Sequence, residues 1–136
     1  MDRKFYLDLA AKGQRMPIAV HLTLHESPNV SEIELNGKLL AESIIKSAQR
    51  YNSPLAVPLM DLALEKDALL ALYGTPEEKR EKFHFDKTVE PEFVEKVSSA
   101  PLVSRMVATC EAISSIAARE AELGIDRKST RLNSSH

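Results

Sequence analysis

Asp61 is the residue of this 136-residue sequence whose type and position most clearly suggest chemistry. It directly follows the apolar run Leu55–Met60, which has the length of a buried strand, and a helical pattern begins immediately after it. An acid at the end of a parallel strand can face a ligand, because the loops after such strands hold ligand sites. Asp is also a good N-cap, which accepts hydrogen bonds from the first helical N–H groups. The sequence therefore predicts a catalytic role or a capping role, and one residue can serve both.

A second set of candidates, for substrate binding, lies on the predicted strand Ile18–Leu24. This segment alternates, so that one face is apolar and the other carries His21, Thr23 and, just beyond it, His25. These side chains could form hydrogen bonds or transfer protons, and histidines without a functional role are the alternative. Along a strand, His21 and His25 lie about 13 Å apart. That distance is too long for one shared ion, since Zn–N bonds are about 2 Å, and no metal site is predicted.

The elements that would position these residues alternate between strands and helices. The spacing predicts a helix over residues 2–12, the strand Ile18–Leu24, an amphipathic helix Lys38–Tyr51, the strand Leu55–Met60 and a helix that ends at Gly74. Strand, acid and helix in this order indicate a parallel βα unit. The sequence therefore predicts an α/β fold.

The second half of the sequence is predicted to be mainly helical. Pro91 is well placed for the first position of a helix. A longer helix starts at Pro101 and runs to about Leu123, with Gly124 as its C-cap. Cys110 falls on the apolar stripe of that helix, so we expect a buried, unreactive thiol.

The composition is ordinary for a soluble protein. A net charge of −2 gives no electrostatic reason to expect nucleic acid or an anionic membrane as a partner. A single cysteine excludes a disulfide framework within the chain. No apolar run approaches the roughly 20 residues that span a bilayer, and the first residues lack the apolar core of a signal peptide. We therefore expect a cytoplasmic protein that acts on a small-molecule substrate, without a nucleic-acid or membrane partner.

The last residues, 126–136, differ from the rest of the chain. Their sequence, DRKSTRLNSSH, has almost no apolar content and no periodicity. It is similar to translated cloning-linker sequence, and an ordinary disordered end is the alternative. We therefore expect a domain over residues 1–125, followed by a non-native or disordered tail over residues 126–136.

The order of the elements resembles the beginning of the uroporphyrinogen decarboxylase superfamily. The segments that carry the resemblance are KFYLDLAAKGQRMPIAV, YNSPLAVPLMDLALEKDALLALYG and PLVSRMVATCEAISSIAARE. They contain no diagnostic catalytic signature. The resemblance implies that residues 1–125 are the incomplete N-terminal portion of a (β/α)8 TIM barrel, with two to three parallel strands and their covering helices.

The sequence resembles two branches of the superfamily. The decarboxylase holds substrate carboxylates with an arginine-rich stretch after its first strand, whereas residues 21–27, HLTLHES, contain no arginine. Asp61 matches a decarboxylase aspartate that faces pyrrole nitrogens. However, the segment DLALEKDALL is more similar to the corrinoid-dependent methyltransferases, in which zinc activates a thiol for methylation. The resemblance therefore favours the methyltransferase branch.

The resemblance also implies that the enzyme is larger than this chain. The family's zinc ligands, a His and Cys residues, lie in the second half of its barrel, so we expect this chain alone to bind no cofactor and to be inactive. Zinc, a corrinoid and a corrinoid protein are implied for the intact enzyme. Two alternatives stay open, which are a decarboxylase of porphyrin biosynthesis and a complete small α/β binding or regulatory module without catalysis.

Overall fold

The computed structural model describes residues 3–13, 20–119 and 126–127, and helices hold 62% of them. The helices are α1 Arg3–Ala11, α2 His21–Leu24, α3 Val30–Glu34, α4 Gly37–Arg50, α5 Leu64–Tyr73, α6 Glu77–Arg80, α7 Pro91–Ser99 and α8 Ser104–Ala118. The strands are β1 Leu55–Ala56 and β2 Asp126–Arg127. Within the described ranges, no helix has the length and apolar character needed to cross a membrane.

The prediction of an α/β fold with part of a (β/α)8 barrel is wrong, because the described chain is mostly helical. β1 and β2 pair in parallel over two residues, Leu55 with Asp126 and Ala56 with Arg127. A barrel requires each strand to pair along both of its edges. The β1–β2 ladder is the only strand pairing among the described residues, so the expected two to three parallel strands with covering helices are not formed.

The predicted strand Ile18–Leu24 is wrong where the structure describes it, because its second half forms α2. The first two residues of this range lie outside the described part. Val20 and Leu24 are both buried. A spacing of four residues places two side chains on the same face of a helix as well as of a strand, so the alternating pattern allowed both structures.

The predicted strand Leu55–Met60 is a strand only in its first two residues, which form β1. Pro58 has no N–H group and cannot donate to a ladder. Leu55, Ala56 and Val57 are nevertheless buried. The first four residues of the apolar run, 55–58, therefore lie in the interior, whereas Met60 is 62% exposed. Of these four buried residues, two form strand pairs.

The predicted helix Lys38–Tyr51 is confirmed as α4. Asn36 is its N-cap, and the Asn36 side-chain oxygen accepts the N–H groups of Lys38 and Leu39 at 3.1 Å each. The buried face includes Leu40, Ile44 and Ala48, which share a helix face, together with Ile45. Local capping and apolar periodicity agree here, and the sequence specified this helix clearly.

The chain divides into two compact units. The first unit comprises residues 1–60 and 108–136, and the second unit comprises residues 61–107. The core of the first unit surrounds α4 and consists of Val20, Leu24, Ile33, Leu40, Ala41, Ile44, Ile45, Ala48, Ala56, Ala112 and Ile116. Burial of a Leu, Ile or Val side chain stabilises a fold by roughly 1.5–3 kcal/mol, so this cluster is the main source of stability in the first unit.

α4 packs closely against the part of α8 that belongs to the first unit. A Cβ atom added at Gly37 would lie 2.5 Å from the Glu111 Cβ and 3.1 Å from the Ala108 carbonyl oxygen. The buried residues of α8 include the small side chains Ala108 and Ala112, which permit this approach. The predicted buried thiol is wrong, since Cys110 is exposed. It lies two positions from either alanine, about 200° around the helix.

The second unit has a small interior. Among its described residues, Leu70 is the one buried large apolar side chain. The Tyr73 ring makes edge-to-face contacts with Phe83, Phe85 and Phe93, with centroids 6.0, 5.3 and 5.2 Å away. This aromatic cluster joins α5 to α7 and to the segment between α6 and α7.

Two predicted helix ends in the second unit are confirmed. Gly74 is the C-cap of α5 with a φ of 85°, a conformation that favours glycine. Pro91 is the first residue of α7. The predicted end of the long helix near Leu123 and its cap at Gly124 lie outside the described residues, as does the predicted tail beyond β2.

Candidate functional site

Asp61, the predicted catalytic residue, belongs to the second unit and precedes α5. Its Oδ1 accepts the Ala63 N–H at 3.0 Å, and its carbonyl oxygen accepts the Leu64 N–H at 3.3 Å. Its Oδ2 forms an ion pair with the Arg105 guanidinium. The Asp61 side chain is 23% exposed and that of Arg105 is 32% exposed, so the pair is partly shielded from water.

This geometry fixes Asp61 in the turn that precedes α5 and leaves its carboxylate able to bind a ligand. Ala63 is the N-cap of α5 and makes no side-chain cap bond, so the Asp61 carboxylate supplies the acceptor for the turn that leads into the helix. Each oxygen of a carboxylate can accept about two hydrogen bonds. Asp61 can therefore hold its turn and still accept an N–H or O–H group from a ligand.

A polar pocket of about 240 Å³ lies beside α4 in the first unit, and we call it the α4 pocket. Its polar lining consists of Thr23, Ser27, Asn29, Glu42, Ser43 and Lys46. Ile33 and Leu39 supply an apolar part of its wall. The pocket thus offers hydroxyl groups, an amide, one acid and one base around a small volume.

Of the three residues predicted to bind substrate, Thr23 lines the α4 pocket. Thr23 is 4% exposed, whereas His25 is exposed and is not among the lining residues. His21 begins α2, and its side chain lies outside the described part. Residues two positions apart in a helical turn point about 200° apart, so Thr23 and His25 lose the common face that a strand would give them.

Two acids at and near the α4 pocket each form an ion pair with an arginine. The Arg119 Nη1 donates to the Glu42 Oε1 at 2.7 Å. The Arg50 Nη1 donates to both carboxylate oxygens of Glu26 at 2.7 Å. That hydrogen bond, aided by the charges of Arg50 and Lys46, holds the pKa of Glu26 below its ordinary value. Of the pocket-lining residues that the structure describes, Glu42 and Lys46 are ionisable.

Sequence reasoning missed the lining residues that α4 contributes. Glu42 and Lys46 are exposed on α4, and in the sequence their spacing of four residues indicates only an ordinary i,i+4 pair on a helix surface. The signal that could have revealed the pocket is the four-residue spacing of Val20 and Leu24, which fits a helix as well as a strand. A helix at that point brings Thr23 to α4.

An apolar groove of about 470 Å³ lies within the second unit, along α5, α7 and the segment after α7. Its large apolar lining residues are Leu69, Leu72, Val97, Leu102, Val103 and Met106. Among the described lining residues, Glu65 is the one that carries a charge. The groove therefore lacks the set of polar groups that would orient a substrate.

The zinc ion that the resemblance implies for the intact enzyme has no matching set of ligands among the residues described. In this part of the chain, no three His, Cys, Asp or Glu residues are grouped so that they could hold a metal ion. Cys110, the only cysteine, is exposed on α8. We therefore assign no zinc-dependent step to these residues.

Comparisons with known proteins find no matching family model, no matching curated protein and no matching solved structure. The assignment to the uroporphyrinogen decarboxylase superfamily therefore stays a prediction from the sequence pattern. The function has to be inferred from the side chains themselves.

Proposed function

We propose that this chain is part of an enzyme that transfers a methyl group from a corrinoid to a thiol, with Asp61 in its substrate site. The resemblance of residues 51–74 to the methyltransferase branch supports this proposal. The barrel is not part of the proposal, because the helical fold contradicts it.

The fixed carboxylate of Asp61 is the observation that carries the proposal. Its two oxygens are held by the Ala63 N–H and by the Arg105 guanidinium. A side chain held in this way loses little further freedom when a ligand binds, and such preorganisation favours a defined site. We assign Asp61 the role of an acceptor that orients an N–H or O–H group of the substrate.

The remaining chemistry would come from groups outside the described residues. In a zinc methyltransferase, the metal lowers the pKa of a bound thiol and so supplies a strong nucleophile at neutral pH. The described chain contributes the acceptor Asp61 and the helix that begins beside it. Activity therefore requires the complete reading frame of the gene.

Two alternatives make different predictions. Porphyrinogen decarboxylation is less favoured, because residues 21–27 contain no arginine to hold substrate carboxylates. A binding or regulatory module without catalysis is the second candidate, and the α4 pocket favours it. Most of the described residues that line this pocket carry polar side chains, and neither histidine nor cysteine is among them.

The proposal is tested with the complete natural reading frame, supplied with methylcobalamin, a thiol and zinc. We expect demethylation of the corrinoid, followed by its absorbance change. We expect Asp61→Asn to lower the rate about tenfold or more, the loss expected when a hydrogen bond to a charged group is weakened. The control is Asp67→Asn, which removes an exposed acid in the first turn of α5 and should leave the rate unchanged.

Three results would count against this function. The corrinoid could remain methylated with zinc and thiol present, or Asp61→Asn could react at the wild-type rate. Consumption of uroporphyrinogen by the same preparation would favour the decarboxylase. Thermal melts of each variant separate two roles of Asp61. Loss of a capping role lowers the melting temperature, whereas loss of a site role lowers the rate of the folded protein.

A further inference from the structure

The α4 pocket contains one acid and one base within one helical turn. Glu42 and Lys46 are four residues apart on α4, about 6 Å along the helix axis, and both line the opening. Ser43 adds a hydroxyl group between them. The volume of about 240 Å³ is below the roughly 300–1,000 Å³ of sites for drug-sized ligands. The pocket therefore suits a small molecule that carries both charges.

The Thr23 hydroxyl determines which kind of hydrogen-bonding group a ligand must present in this pocket. Its hydroxyl donates to the Val20 carbonyl at 3.1 Å, so its oxygen offers lone pairs to any further partner. Thr23 is 4% exposed, and a buried polar oxygen gains from a partner that donates. A ligand that reaches Thr23 must therefore present an N–H or O–H group.

Glu42 and Lys46, the two charged residues in the described lining, offer a ligand an acceptor and a donor. Glu42 binds Arg119 through its Oε1, and its carboxylate still has lone pairs for a donor. The Lys46 ammonium carries three donors, which suit a carboxylate. Ile33 and Leu39 line the same pocket, so an aliphatic group can pack there and leave water.

From these features we propose that the α4 pocket binds a small aliphatic α-amino acid. Its ammonium group donates to the Thr23 Oγ1 and to Glu42, and its carboxylate accepts from Lys46. Its side chain packs against the apolar wall. This proposal is independent of methyl transfer, because the described lining residues of the pocket all belong to the first unit and Asp61 takes no part.

The test is calorimetric titration of the 136-residue chain with L-leucine and two analogues that each lack one charge. Leucinol lacks the carboxylate, and 4-methylpentanoate lacks the ammonium group. We expect leucine to bind and each analogue to bind about tenfold more weakly or worse, since each loses a charge-assisted hydrogen bond. Amide chemical shifts should change in α2 and α4 and not in α7.

Variants locate the binding. Lys46→Ala and Thr23→Val should each weaken leucine binding about tenfold or more, whereas Lys38→Ala should bind like the wild type. Lys38 is exposed on the same helix and does not line the pocket. Lys46 is exposed, so its variant keeps the core intact even if Thr23→Val disturbs packing. The proposal fails if millimolar leucine does not bind, if 4-methylpentanoate binds equally well, or if Lys46→Ala changes nothing.

Discussion

In the first unit, eleven residues form one buried apolar cluster around α4, whereas the second unit leaves much of its apolar surface in water. Leu70 is buried there, but Leu62, Val94 and Leu102 are 86%, 53% and 59% exposed. Apolar burial is the main favourable term in folding. The first unit therefore has by far the stronger driving force.

The second unit relies instead on local bonds. The Lys96 ammonium donates to the Leu72 carbonyl, and the Lys66 ammonium donates to the Glu81 carbonyl, both at 2.8 Å. These bonds are exposed, where water competes, and a typical net contribution is about 0.5–1.5 kcal/mol. We therefore expect these two mainly helical regions to differ greatly in stability.

Truncation of a core side chain should show the largest difference. Leu40 in the first unit is 1% exposed, whereas Leu102 in the second is 59% exposed. We expect Leu40→Ala to lower the free energy of unfolding by about 2–5 kcal/mol and Leu102→Ala to change it by less than about 0.5 kcal/mol. Urea unfolding followed by circular dichroism measures both, and equal losses would refute the difference between the units.

The close approach at Gly37 gives the next largest effect. Gly37→Ala forces apart α4 and α8, and we expect a loss of about 1–3 kcal/mol from the resulting overpacking. Gly74→Ala in the second unit meets no atom within 4 Å but has a φ of +85°, so we expect a loss of about 1 kcal/mol from backbone strain. Denaturant midpoints measure both losses. If Gly37→Ala were the milder change, the described helix contact would be wrong.

Removal of Tyr73 should open the second unit selectively. Tyr73→Ala deletes the ring that contacts three phenylalanines, and each edge-to-face pair contributes about 0.5–1.5 kcal/mol beyond its burial. We expect faster protease cleavage between α6 and α7. Tyr51→Ala is the control, since Tyr51 is similarly exposed and stacks with Arg50 alone among the described rings and cations. Unchanged cleavage of Tyr73→Ala would show that the aromatic cluster does not stabilise the second unit.

The smallest effect concerns a surface ion pair of the first unit. Arg50 holds the pKa of Glu26 below its ordinary value of 4.5, so the stabilising contribution is present above that pH and is lost as the pH falls through the lowered pKa. Arg50→Ala should return the Glu26 pKa towards 4.5. Carboxyl titration by NMR measures this shift. An unaltered Glu26 titration would show that the pair does not form in solution.

Sequence patterns specified the helices better than the strands. α4 was predictable because its apolar period fits one structure. The alternation of Ile18–Leu24 fits both a strand and a helix, since positions four apart share a face in both. The burial of Val20 and Leu24 is compatible with the helix α2. β1 is short because a strand extends only as far as its partner pairs with it, and β2 pairs with two of its residues. Long-range pairing of this kind leaves no local signal.

The site was predictable only in part, for similar reasons. Asp61 could be found, because its place between an apolar run and a helix is a local feature. The α4 pocket could not, because it requires α2 to be a helix. Cys110 was misplaced because bulky residues suggested the buried face of α8, whereas close packing at Gly37 selects the small residues Ala108 and Ala112 instead.

Native-state amide hydrogen exchange of the whole chain tests the difference between the two units most directly, because it reports the opening free energy of each helix separately. The packing described here predicts the slowest exchange in the interior of α4 and much faster exchange in α7, where no residue is buried. Equal protection of the two helices, or slower exchange in α7, would contradict the central claim that the first unit carries the stability of this protein.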